Sequence, residues 1–228
     1  MTGHSTAVIV GVGAGQGLAL MRKLIRAGMR VAIVEKDSAL LEPYRPADFA
    51  GRLRCYVCDT TDAPAVAALF DAVRLELGTP ELVVFSGNAH RPAGLLETSP
   101  HELERCWRNS CLAAFTVAQE AARDMTTQGH GTIILTGATS EYGDEVSRVA
   151  LAVARSHLRA LTLALAEELG PKGVHVAYVA IEQAAAHAAC HGSPEWGEAD
   201  DIVDKYLFLF QQPRPSWTHE LDVTAEKS

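Results

Sequence analysis

Four glycines stand close together near the start of this chain, in the order Gly11-Val12-Gly13-Ala14-Gly15-Gln16-Gly17. An apolar run precedes them and a helical pattern follows. Glycine in that setting permits a tight turn and lets the backbone approach a ligand closely. The helix that opens at Gly15 offers unpaired N–H groups and a partial positive charge, the chemistry that holds a pyrophosphate. A tight turn without a ligand is the alternative. Glu35 and Lys36 close the next apolar run. A carboxylate at Glu35 would accept from an adenosine ribose hydroxyl, which favours NAD, whereas Lys36 would pair with a 2′-phosphate, which favours NADP. Glu35 stands nearer the strand end, so the balance tips to NAD. Asp59, after the third apolar run, is placed to meet an adenine edge, or else serves as a turn carboxylate.

Other residues with chemical potential are less well supported. Cys55 and Cys58 have CxxC spacing but fall in a predicted strand, away from any helix N-terminus that would favour a thiolate, so they read as buried small apolar residues. Cys106 and Cys111 lie five apart on different faces of one predicted helix. His187 and His191 are one helical turn apart with Cys190 between them, but no carboxylate pattern joins them, so no metal site is assigned. His90 could act as acid or base, and His157 reads as structural. The five cysteines suit a reducing compartment better than a disulfide framework.

Positioning these residues requires an alternation of strands and helices, and the pattern supplies it. Strands are expected at 6–11, 30–35, 53–59, 81–86, 131–137 and 174–180, with a seventh near 217–223. Helices are expected at 15–27, closed by Gly28, at 62–77, from Ser99 to about 125, at 147–169 and at about 198–211. Ser99-Pro100-His101-Glu102 reads as a capping box with proline in the first turn. Apolar runs of four to seven residues separated by helices predict an α/β fold. It is a single-domain Rossmann-type doubly wound parallel sheet of about seven strands, with helices on both faces. The expected division is a nucleotide-binding half over 1–90, a substrate and oligomerisation half over 91–223, and a frayed tail over 224–228. With 228 residues and 48% hydrophobic content, one such domain can bury a sizeable core. A net charge of −8 argues against nucleic acid or an anionic membrane as partner. No apolar run is long enough to span a bilayer and no signal peptide is read, so a cytoplasmic location is expected.

Taken together, these residues resemble the short-chain dehydrogenase/reductase family from Thr6 to about Val223. The glycine motif matches in spacing. Cys58-Asp59-Thr60-Thr61-Asp62 is similar to the adenine-contacting turn. Asn109, in the helix after the fourth strand, matches the asparagine that supports the active-site lysine and a proton-relay water. The 131–137 strand resembles the one leading to the catalytic serine. The resemblance implies a nicotinamide cofactor, with Gly11, Gly15, Gln16, Gly17, Glu35, Lys36, Asp59 and Asn88 lining its site. It also implies a homodimer or homotetramer built through the helices after the fourth and fifth strands.

The departures fall on the chemistry. The serine and tyrosine positions, thirteen residues apart, hold Ala138 and Leu151, and the lysine position four residues on holds Arg155. The segment after the fourth strand reads Phe85-Ser86-Gly87-Asn88. The Pro-Gly expected after the sixth reads Ile181-Glu182. Hydride transfer to a carbonyl needs a proton donor near the developing alkoxide, and an aliphatic side chain cannot supply it. Arginine keeps its positive charge but does not exchange protons at neutral pH. Substitutes are available: the hydroxyls of Thr139 and Ser140, the phenol of Tyr142, and Arg155 as an anchor for an anion, with a salt bridge to Glu182 as its alternative. The leading expectation is a repurposed non-redox enzyme (cyclase, isomerase or dehydratase) acting on a small metabolite, its nucleotide kept as structural filler or absent. The second is an NAD(P)H-dependent carbonyl reductase using a donor such as Tyr142. The third is a nucleotide-binding or scaffold subunit.

Overall fold

The computed structural model describes residues 5–11, 13–44, 49, 51–87, 94–138, 149–181 and 197–223. The first half alternates β1 (Thr6–Val10), α1 (Ala14–Arg26), β2 (Arg30–Glu35), β3 (Leu53–Val57), α2 (Ala63–Glu76) and β4 (Pro80–Ser86). The second half holds α3 (Pro100–Trp107), α4 (Ala113–Gln128), β5 (Gly131–Ala138), α5 (Val149–Leu169), β6 (Val174–Ile181), α6 (Gly197–Gln211) and β7 (Glu220–Val223). A 3₁₀ segment, Ser38–Tyr44, follows β2 and was not expected. The seven strands form one parallel sheet in the order β3-β2-β1-β4-β5-β6-β7. The order reverses between β1 and β4, and ligands in open α/β sheets bind at that crevice.

Both faces of the sheet are covered, as uninterrupted apolar strands require. One core layer joins Val8, Val83, Ile133, Leu135 and Val176 to α2, α4 and α5. The other joins Ile9, Ile33, Val84, Ile134 and Val179 to α1 and α6. The ends of the elements follow local signals. Ser99 caps α3 by the expected reciprocal pattern: its Oγ accepts from Glu102 N–H at 3.2 Å, while the Glu102 carboxylate accepts from Ser99 N–H at 2.9 Å. Gly28, just past α1, adopts φ +90°, the left-handed geometry that ends helices. Arg74 on α2 bonds Asp124 on α4 at 2.9 Å, holding two helices of one layer together.

The C-terminal end is fastened by one histidine. His175 on β6 is fully buried. Its Nδ1 lies 3.1 Å from the carbonyl of Leu209 and its Nε2 lies 2.9 Å from that of Thr218. The Trp217 ring stacks on it at a centroid distance of 4.9 Å.

Candidate active site

The C-terminal ends of β1, β2 and β4 open into one cleft, with the turn after β3 on its far side. Its wall is built from Gly11, Glu35, Lys36, Asp59, Ser86 and Asn109, over an apolar floor that includes Val10, Val34 and Phe85. These are the positions where a doubly wound sheet receives a nucleotide.

Backbone geometry explains the first glycine. Gly11 has φ +65°, and a Cβ there would stand 2.5 Å from the Ser86 carbonyl oxygen on β4. The chain leaves β1 through a gap too narrow for any side chain. Gly13 also lies at positive φ, 75°, and forms the N-cap of α1 without a side-chain cap. Gly17, inside α1, is a different case. A Cβ at Gly17 would meet the Tyr44 hydroxyl at 2.1 Å, so its absence makes room for a side chain of this chain. Gly15 and Gln16 fall in the first turn of α1, where Gln16 is buried.

Glu35 ends β2 and is only 4% exposed, yet it forms part of the cleft wall. Burial raises its carboxyl above the ordinary range, and a hydrogen bond from Gly13 N–H works against that shift. Lys36 does not stand free for a phosphate: its Nζ lies 2.8 Å from Oδ2 of Asp59. Asp59 Oδ1 accepts from the Thr61 N–H at 3.0 Å and from its hydroxyl at 2.8 Å. Asp59 thus serves as a turn carboxylate, and it also lines the cleft. Lys36 lowers its carboxyl to about 2, assisted by Thr61. The turn is tied to α4 by Thr116, whose hydroxyl donates to the Thr60 carbonyl at 2.6 Å.

Asn109 sits in a π-helical turn, Arg108–Leu112, that joins α3 to α4. The single helix expected from Ser99 onward is therefore interrupted at the residue that faces the cleft. The Ala113 N–H reaches back five residues to the Arg108 carbonyl, and such an extra residue re-aims a side chain. Ser110 braces the turn, donating to the Cys106 carbonyl at 2.7 Å.

The corner holding the family's serine, tyrosine and lysine positions is described in part. Ala138 ends β5, Leu151 lies in the first turn of α5, and Arg155 is half-buried one turn further on. Thr139, Ser140, Tyr142 and Asn88 lie outside the described residues, as do His90, Glu182 and the His187–His191 group. His157 is exposed, its Nδ1 2.8 Å from the Val153 carbonyl one turn back on α5. Cys58 is buried and Cys55 half-buried, and neither is in a disulfide. Burial pushes the Cys58 thiol up, away from nucleophilic use.

Two tyrosines escaped the sequence reading. Tyr44 is buried against the glycine turn. Tyr178 on β6 is 2% exposed, and its hydroxyl has no hydrogen-bond partner among the described residues. A Cβ at Gly137 would meet that hydroxyl at 2.3 Å, so the phenol rests directly before Ala138. Burial pushes it up to about 12, and the Arg155 guanidinium works against that shift. The usable signal was a bulky phenol in a strand of aliphatics, two register positions from a glycine on the neighbouring strand. Nothing in the sequence marked Tyr44.

The cleft at the strand-order reversal, its positive-φ glycines and the buried acid ending β2 define a nucleotide-binding α/β domain. Residues 5–187 match the family model described as short chain dehydrogenase, and the chain belongs to the short-chain dehydrogenase/reductase family. The short-chain reductase protein NovJ of Streptomyces niveus is 29% identical over 181 residues, 78% of this chain and 68% of NovJ. A short-chain dehydrogenase from Rhodopseudomonas palustris superposes with TM-score 0.82 at 27% identity, covering 97% of this chain and 98% of that one. A metagenomic short-chain oxidoreductase solved with NADP superposes with TM-score 0.79 at 25% identity, covering 96% of each. No helix among the described residues is long and apolar enough to cross a membrane.

Proposed function

We propose that this protein is a nicotinamide-dinucleotide-dependent oxidoreductase that takes NAD in preference to NADP and does not use the family's tyrosine–lysine relay. The observation that carries the reading is the wall of the cleft: a buried Glu35 beside Gly11, with Lys36 held by Asp59. These residues fit an adenosine diphosphate. The narrow passage at Gly11 gives backbone access, α1 opens its N-terminus there, and Glu35 offers an acceptor to a ribose hydroxyl. The same carboxylate opposes a 2′-phosphate, and the cation that would welcome one is already paired. Relatives named as reductases and dehydrogenases support a redox reaction over the non-redox conversion read from the vacancies alone.

A bound dinucleotide supplies or receives a hydride at its nicotinamide ring. The chain's own residues must then bind a small carbonyl or alcohol substrate, hold charge, and deliver a proton to a carbonyl oxygen or take one from an alcohol. Arg155 contributes a fixed positive charge that stabilises negative charge on that oxygen. Tyr142 is the donor assigned to the proton, Thr139 and Ser140 hold the substrate oxygen by hydrogen bonds, and Asn109 keeps its place at the cleft wall. A homodimer or homotetramer through α3–α4 and α5 completes the proposal.

The test is fluorescence titration with NADH and NADPH, followed by turnover with a panel of ketones and alcohols. Binding of NADH with turnover, lost in Tyr142→Phe, supports the reading. Absence of dinucleotide binding overturns it. Binding without turnover returns the protein to the non-redox reading, which rests on Ala138 and Leu151 standing where a hydroxyl and a phenol are required.

A further inference from the structure

The backbone of Gly13 is held on both sides of its Cα. Its N–H faces the buried Glu35 carboxylate and favours that group's charged form. Its carbonyl accepts from Gly17 N–H at 2.9 Å, the first hydrogen bond of α1. The same carbonyl accepts a second bond, from the Tyr44 hydroxyl, at 2.6 Å. Tyr44 comes from the far end of the 3₁₀ segment after β2, is 1% exposed, and reaches the turn across the face of Gly17. Gly13 adopts φ 75° and ψ 166°, a conformation open to glycine and costly to hold without contacts.

We infer that Tyr44 is a positioning residue for the cofactor: with Glu35 it locks the backbone at Gly13, so that the turn meets the dinucleotide diphosphate already shaped. The inference rests on the proposed dinucleotide binding. The physical argument is preorganisation. A glycine-rich turn samples many conformations, and ordering it on binding subtracts from affinity. Two hydrogen bonds on its carbonyl, with the Glu35 carboxylate facing its N–H, lower that cost beforehand. Gly17 belongs to the same device. Its lack of a side chain is the opening through which the Tyr44 hydroxyl passes, so Gly17 and Tyr44 act as a pair.

Four proteins test this: the unchanged chain, Tyr44→Phe, Gly17→Ala and the double variant. Each is titrated with NADH and with adenosine, which reaches only the Glu35–Asp59 end. Tyr44→Phe keeps the ring in place and is expected to weaken NADH about tenfold while leaving adenosine affinity within about twofold. Gly17→Ala, whose methyl would strike the hydroxyl, is expected to weaken NADH more. The double variant, with that hydroxyl gone, is expected to bind NADH better than Gly17→Ala alone. A general loosening of the fold would instead weaken both ligands in every variant, with no rescue. Unchanged NADH affinity in Tyr44→Phe, equal loss of both ligands, or additive losses in the double variant overturns the inference and leaves dinucleotide binding standing. Failure of the unchanged chain to bind NADH overturns both.

Discussion

Replacing Glu35 with glutamine asks the sharpest question of the cleft. The side chain is 4% exposed, so solvent screens its charge poorly. Two unit charges about 4 Å apart, at an effective dielectric near 20, interact by roughly 4 kcal/mol. A 2′-phosphate set beyond the ribose hydroxyl, with Lys36 nearby, would feel about half of that. The carboxylate should therefore disfavour NADPH against NADH by about 2 kcal/mol, roughly 30-fold in affinity. Glutamine keeps the size and an acceptor oxygen for Gly13 N–H but carries no charge. NADH binding should weaken only several-fold, by the difference between a charged and a neutral hydrogen bond, about 1 kcal/mol. NADPH binding should strengthen, so that the preference collapses toward parity. The assay is parallel fluorescence titration of both reduced cofactors at fixed ionic strength. An unchanged NADH-to-NADPH ratio in Glu35→Gln would refute the assignment of discrimination to this carboxylate.

Two further outcomes are expected from buried polar groups. Tyr178→Phe removes a buried hydroxyl that no described residue satisfies, so the variant should be more stable by about 1 kcal/mol in chemical denaturation; destabilisation would mean that the hydroxyl is satisfied in solution. Burial lowers the His175 pKa below its ordinary value, against hydrogen bonds to the Thr218 and Leu209 carbonyls. The folded state then favours the neutral ring, so its share of stability is complete above the unfolded histidine pKa, near 6.5, and declines as pH falls below it. Melting curves from pH 8 to pH 5 should fall more steeply for the unchanged chain than for His175→Gln, and parallel curves would count against the assignment.

Much of the architecture could be read from the chain because it rests on local rules. Uninterrupted apolar runs gave β1, β2, β4, β5 and β6 within two residues, and the Ser99–Glu102 box located α3. The π turn at Asn109 could not be read, since an extra residue in a helix leaves the apolar periodicity nearly intact over so short a span. The 3₁₀ segment at Ser38–Tyr44 depends on packing against α1 rather than on propensity. In the cleft, Glu35 and Asp59 were found from their places at strand ends. The bond between Lys36 and Asp59 was not, because it joins the ends of two strands that only the sheet brings together. Tyr44 and Tyr178 were missed for the same reason: each owes its role to a glycine far away in sequence.

The part of the chain matched by the family model ends at residue 187, yet His175 inside it leans on Leu209, Trp217 and Thr218 beyond it. A chain cut after Pro213 would forfeit the indole that covers the imidazole and the carbonyl facing its Nε2. It would also lose β7, leaving β6 as a bare edge of eight buried residues, ready to pair with another molecule. Residues 214–223 thus act as a guard against self-association, and shortened versions of this protein should precipitate before they lose their helices.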